Sequence, residues 1–121
     1  MKDGLLFSKD HIWIRIDEDK AKLGMTDHAQ SKLKSILFIN LPDEGENVKI
    51  GERMGDVESI KTVSDLISPI TGIVTSVNES IMDEPYLVNE EPYESWLIEI
   101  KVDKLSDNLM DEAQYLEKCN V

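Results

Sequence analysis

Few side chains in this sequence could do chemistry, and they are scattered. One cysteine, Cys119, stands close to the end of the 121 residues, so no internal disulfide or cysteine-rich zinc site can form. The two histidines, His11 and His28, fall short of the three protein ligands that mark a catalytic zinc, and the motif reading assigns no metal. A Cys–His nucleophile would require the chain to bring Cys119 to one of them, and nothing in their spacing calls for it. His28 reads as a solvated group in the middle of a polar helix and His11 as a structural residue ahead of a strand. Acid pairs such as Glu90-Glu91 carry no information in a chain with 25 acidic residues. Gly51 and Gly55 lack the Lys-Ser/Thr of a phosphate-binding loop and read as turn glycines. The chain is therefore not expected to be an enzyme in its own right. Lys61 is the remaining candidate, between two apolar-rich β segments in Val57-Glu58-Ser59-Ile60-Lys61-Thr62-Val63-Ser64-Asp65. Its amine sits on a long flexible stem. No Gly, Asn or Pro marks a turn beside it, so local chemistry alone does not place it at a hairpin.

The elements that must position that lysine are mostly strands. Ile12–Ile16 alternates with period two, and the polar Asp17-Glu18-Asp19 leads to a hairpin partner over 21–25. Thr26 before Asp27 is a helix N-cap, and the helix runs to about Lys34. Further strands are predicted at 36–41, around Val48, at 54–60, 63–68, 70–77 and 96–100. Leu105, Leu109, Ala113 and Leu116 fall at helical spacing and predict one C-terminal amphipathic helix. Pro69 and Gly72 read as turn formers, and Trp13 and Trp96 as core. Many short strands at this spacing indicate a mainly β sandwich or barrel over a single domain, 1–121.

Composition excludes several function classes. The formal charge is −12, which disfavours binding to nucleic acid or to an anionic membrane and suits solubility or docking on basic surfaces. No apolar run approaches the roughly 18 residues of a membrane span. The first residues are too short for a signal peptide and too poor in Arg and Ser for a transit peptide, so a cytoplasmic location is expected.

The stretch from Gly55 to Gly72, GDVESIKTVSDLISPITG, resembles the lipoylation segment G-x-V-E-S-V-K-x-x-S-D-x-Y-S-P-x-x-G of the glycine cleavage H proteins. The resemblance continues through Val77-Asn78-Glu79, Pro85-Tyr86-Leu87-Val88-Asn89, Glu91-Pro92-Tyr93 and Trp96-Leu97. Upstream, Gly24-Met25-Thr26-Asp27-His28-Ala29-Gln30 is similar to the family's G-I-T-D-Y-A-Q. It implies a flattened barrel-sandwich hybrid of two antiparallel sheets, with a short internal helix, a C-terminal helix and Lys61 exposed at a hairpin tip. It also implies that Lys61 carries lipoate in amide linkage and that Glu58, Ser59, Ile60 and Asp65 help present it to a lipoate-attaching enzyme. The implied partners are a pyridoxal-phosphate glycine decarboxylase, an aminomethyltransferase that passes the one-carbon unit to tetrahydrofolate, and dihydrolipoyl dehydrogenase. The chain would be their non-catalytic, monomeric shuttle. Asn89 reads either as a residue orienting a loop near the loaded arm or as a turn asparagine.

Several positions depart from the family's pattern. Ile12 stands where H-E-W has its acid, Leu33-Lys34-Ser35 where L-G-D is usual, Glu94-Ser95 where glycines are common, and Ile67 where an aromatic is expected. They admit a second reading, an H-like lipoyl carrier serving lipoyl relay or a redox-linked modification system. A biotin carrier would flank the lysine with methionines, where this chain has Ile60 and Thr62.

Overall fold

A computed structural model describes residues 4–119. One antiparallel sheet has the spatial order β1 (Leu6–Phe7), β2 (Ile12–Asp17), β3 (Lys20–Met25), β9 (Ile98–Leu105), β8 (Ile70–Val77) and β5 (Asn47–Val48). The other is β4 (Ile36–Asn40), β6 (Arg53–Ser59) and β7 (Val63–Ile67). Ile14, Leu23 and Ile100 of the first sheet share one buried cluster with Ile39, Val57 and Leu66 of the second. The expected mainly β, flattened sandwich is therefore the fold observed.

Strand β2 explains how a second core arises. Its alternation sends Ile12 and Ile14 into the cluster between the sheets, while Trp13 joins Leu5, Phe7 and Tyr115 on the opposite side. Both faces of β2 are thus buried at this point. Trp13 lies opposite Gly24 in the register, and its indole N–H donates to the Pro92 carbonyl at 2.9 Å. A Cβ on Gly24 would overlap the indole ring, so glycine is required by the close approach. Trp96, expected in the core, is half-buried with the Lys22 ammonium over its ring.

The predicted hairpin β2–β3 and helix α1 (Asp27–Leu33) form as expected. Thr26 caps α1 by accepting the Ala29 N–H at 3.2 Å. Other elements differ. Strand β9 starts two residues later than expected and runs to Leu105, because its backbone keeps pairing along the whole of β8 after its side chains turn polar. Leu105 therefore belongs to a strand and Leu109 to the connection, and the C-terminal helix α4 spans Glu112–Cys119. Its buried residue is Tyr115, stacked on Phe7 at 4.8 Å between centroids, while Leu116 is 47% exposed. Gly72 is not a turn residue: it lies inside β8 against the Lys101 carbonyl. Two five-residue helices, α2 (Glu79–Asp83) and α3 (Tyr86–Glu90), plug the core with Ile81 and Val88. They are too short for a 3.6-residue period to show in the sequence.

Gly24→Ala is expected to cost about 1–3 kcal/mol by overpacking against Trp13, read as a lower urea midpoint at unchanged slope. An unchanged midpoint would contradict the packing described.

Candidate functional site

Lys61 sits in the connection of the β6–β7 hairpin, beyond the paired residues Glu58 and Val63. The turn is closed by a hydroxyl rather than by a glycine. Ser59 Oγ accepts the N–H of Lys61 at 3.2 Å and of Thr62 at 3.1 Å, and donates to the Thr62 carbonyl at 3.0 Å. The Ser59 N–H also donates to that carbonyl, and the Ile60 N–H donates to the Ser35 carbonyl beside β4. This is the turn signal that Gly, Asn and Pro did not supply: a serine whose side chain takes over the backbone's turn bonds. The tip is thus fixed in backbone while its side chains point outward, Ile60 being 68% exposed. Lys61 is exposed, and its ammonium forms no ion pair among the described residues.

The other residues singled out lie on the same hairpin but are not gathered around the amine. Glu58 is half-buried on β6, between Phe38 of β4 and Val63 of β7. Asp65 is further down the stem, where its carboxylate pairs with Arg53 Nε at 3.1 Å. Arg53 also pairs with Asp56, so one guanidinium joins carboxylates from both strands of the stem. Hydrogen bonds to Asp56 and Asp65 push the Arg53 guanidinium further up, and the Asn40 amide holds the Asp56 carboxyl below its ordinary range.

Strand β7 also forms one wall of a cleft of about 150 Å³. Ser64, Asp65 and Leu66 line that wall; Asp10, His11, His28 and Lys32 line the facing one. Ile12, which replaces the family's acid, is 1% exposed and belongs to the core, so the cleft has an apolar wall there.

His11 is structural, as expected, but it is also central to a polar chain. Its backbone takes φ 67, held by the Ser8 hydroxyl, which accepts the N–H groups of Asp10 and Ile12. Its Nδ1 is 2.7 Å from Tyr115 Oη, which is 2.7 Å from the capping Thr26 Oγ1. Burial, then the neighbouring His28 ring, lowers the His11 pKa, and burial raises that of the Tyr115 phenol. His28 corrects the sequence reading: it is the second residue of α1 rather than mid-helix, is half-buried, and lies 4.8 Å from the His11 ring between centroids. Cys119 is also brought to this place. One donor atom from each of His11, His28 and Cys119 lies within 4.8 Å of the others. No spacing in the sequence could announce a cluster whose cysteine lies 91 positions beyond the nearer histidine.

Asn89 is not a turn asparagine. From α3 its side chain accepts the Ile36 N–H at 3.1 Å and donates to the Lys34 carbonyl at 2.7 Å and to Gln30 at 2.9 Å. It locks the end of α1, where Lys34 has φ 64, to the start of β4. Asn89→Ala is expected to leave these groups short of partners and to destabilise the fold by about 1–3 kcal/mol. Chemical denaturation measures it, and a variant as stable as the parent would refute the role.

The two-sheet sandwich with an exposed lysine on a hairpin is the arrangement implied by the resemblance to carrier domains of the lipoyl and biotinyl type. The family model described as glycine cleavage H-protein matches residues 5–121. The glycine cleavage system H protein of Geobacillus thermodenitrificans is 47% identical over 119 residues, covering 96% of this chain and 94% of that protein. That of a Thermoanaerobacter species is 45% identical over 115 residues, covering 93% and 91%. The crystal structure of a glycine cleavage system H protein from Mycobacterium marinum superposes with a TM-score of 0.94 at 31% identity, over 100% of both chains. The chain belongs to the glycine cleavage H-protein family, a family of non-catalytic carriers.

Proposed function

We propose that this chain is the lipoyl carrier of a glycine cleavage system and that lipoate is attached to Nζ of Lys61. The observation that supports it most directly is the exposed Lys61 amine, without an ion pair among the described residues, on a backbone pinned by Ser59. An amine to be acylated must reach an enzyme's active site without first breaking an ion pair, and this one fits. When attached, the lipoyl group supplies reversible disulfide–dithiol chemistry, which a chain with one cysteine lacks.

The chain's own residues position and present. Ser59 holds the turn, and Ile60 offers an apolar contact beside the lysine to the attaching enzyme. Glu58 offers a charge on the stem, and Asp65 acts through its brace on Arg53. A rigid base with a flexible arm gives several partner sites a high effective concentration of the arm. Those partners are the glycine decarboxylase, the aminomethyltransferase, dihydrolipoyl dehydrogenase and the lipoate-attaching enzyme, served by a cytoplasmic monomer. With Ile12 in the place of an acid, Asp10 and Asp65 are the carboxylates lining the cleft that could attract a cationic amine on the arm.

Intact mass and peptide mapping of the protein from its native host are expected to show one lipoyl adduct, on Lys61. Lys61→Arg is expected to abolish it with an unchanged melting temperature. An unmodified Lys61 in lipoate-replete cells would overturn the proposal. The net charge of −12 is expected to steer the carrier onto basic partner surfaces, so association rates should fall as salt is added. Rates independent of salt in stopped-flow mixing would contradict that steering.

A further inference from the structure

The cluster of His11, His28 and Cys119 plays no part in holding or presenting Lys61. Its three donors come from separate pieces of the chain: the turn between β1 and β2, the first turn of α1 and the end of α4. All three are half-buried, and one donor atom of each lies within 4.8 Å of the others. With bonds of about 2.0–2.3 Å to nitrogen and sulfur, the donor atoms of a tetrahedral zinc centre stand roughly 3.3–3.8 Å apart. Closing this cluster on an ion therefore needs side-chain movements of about 1 Å, small for half-buried groups. Two imidazoles and a thiolate, with a fourth position left to water, form a set that borderline-soft cations prefer and that magnesium and calcium do not.

The surroundings support the first ligand as a metal site requires. Tyr115 Oη holds His11 Nδ1 at 2.7 Å, so this ring would ligate through Nε2. Tyr115 is in turn 2.7 Å from Thr26 Oγ1, itself fixed as the cap of α1. A ligating histidine with its second nitrogen hydrogen-bonded to a buried, oriented partner is the usual outer sphere of a zinc site. The nearby charges are mixed. Lys32 and Lys118 act on His11 in one sense and Asp10 in the other, and the Lys118 ammonium is held on the Lys9 carbonyl at 2.8 Å.

We propose that His11, His28 and Cys119 form a three-ligand zinc site that ties the end of α4 to α1 and to the β1–β2 turn, at the edge of the cleft that His11 and His28 line. Binding releases the Cys119 thiol proton to solvent and leaves the thiolate on the ion, with no change of oxidation state. Because the ion would hold three elements of the folded chain together, it should stabilise the native state, by an amount that grows with the logarithm of its free concentration once that exceeds the dissociation constant.

The test uses the full chain prepared without lipoate, so that Cys119 is its one thiol, under a phosphine reductant and excess Mg2+ to occupy exposed carboxylates. Titration with Co2+ is expected to give a thiolate-to-cobalt charge-transfer band and tetrahedral visible bands at one ion per chain. Zn2+ should erase those bands and raise the melting temperature. Cys119→Ser and His28→Gln are each expected to melt like the parent without metal. Each should bind Zn2+ more weakly by more than the roughly 10–100-fold typical of losing an outer-sphere partner. Should either variant fail to fold, alkylation of Cys119 in the parent chain gives the same comparison. Absence of the charge-transfer band would overturn the proposal. So would a Zn2+ affinity unchanged by loss of the thiol, which would place the ion on surface carboxylates.

Discussion

The burial of both faces of β2 is the constraint on which the rest of the molecule depends. A strand with one wet face needs one core; this one has Ile12 and Ile14 on one side and Trp13 on the other, and so must be covered twice. The inner cover is the second sheet, whose central strand β6 carries the Lys61 hairpin. The outer cover is α4, seated through Tyr115 on Phe7. Tyr115 in turn ties the turn at His11 to the cap of α1 through two short hydrogen bonds. Helix α1 and the β1–β2 turn then form one side of the cleft whose other side is the strand leaving the hairpin.

The hairpin combines two demands that usually conflict. A carrier's arm must move freely, yet its base must be recognised by several enzymes in one geometry. Here the backbone is fixed by the Ser59 hydroxyl and by the bond from Ile60 to the Ser35 carbonyl, and mobility is left to side-chain bonds. The exposed Arg53–Asp65 pair adds little stability of its own, since such pairs contribute roughly 0–1 kcal/mol. Its value lies in joining the two strands of the stem in one register.

Much of this was legible in the residues. The alternation of β2 and the Thr26 cap rest on local chemistry and appear in the structure where the sequence placed them, whereas the hairpin around Lys61 was implied by the resemblance and not by its own turn residues. What was not legible depends on partners distant in the chain. The length of β9 is set by β8, not by its own pattern. Tyr115 rather than Leu116 is buried because Phe7 and His11 await it, more than a hundred residues away in sequence. Asn89 could be read either as a loop-orienting residue or as a turn residue because its three partners lie between 53 and 59 positions upstream. The meeting of His11, His28 and Cys119 is of the same kind.

The central claim is that this carrier serves glycine cleavage rather than lipoyl relay or a redox-linked modification. The most direct measurement is the mass of the fully lipoylated chain after incubation with glycine and the pyridoxal-phosphate decarboxylase. The carrier is expected to gain one aminomethyl group per chain, and to lose it when the aminomethyltransferase and tetrahydrofolate are added. A fully lipoylated chain that stays unloaded by an active decarboxylase would contradict it.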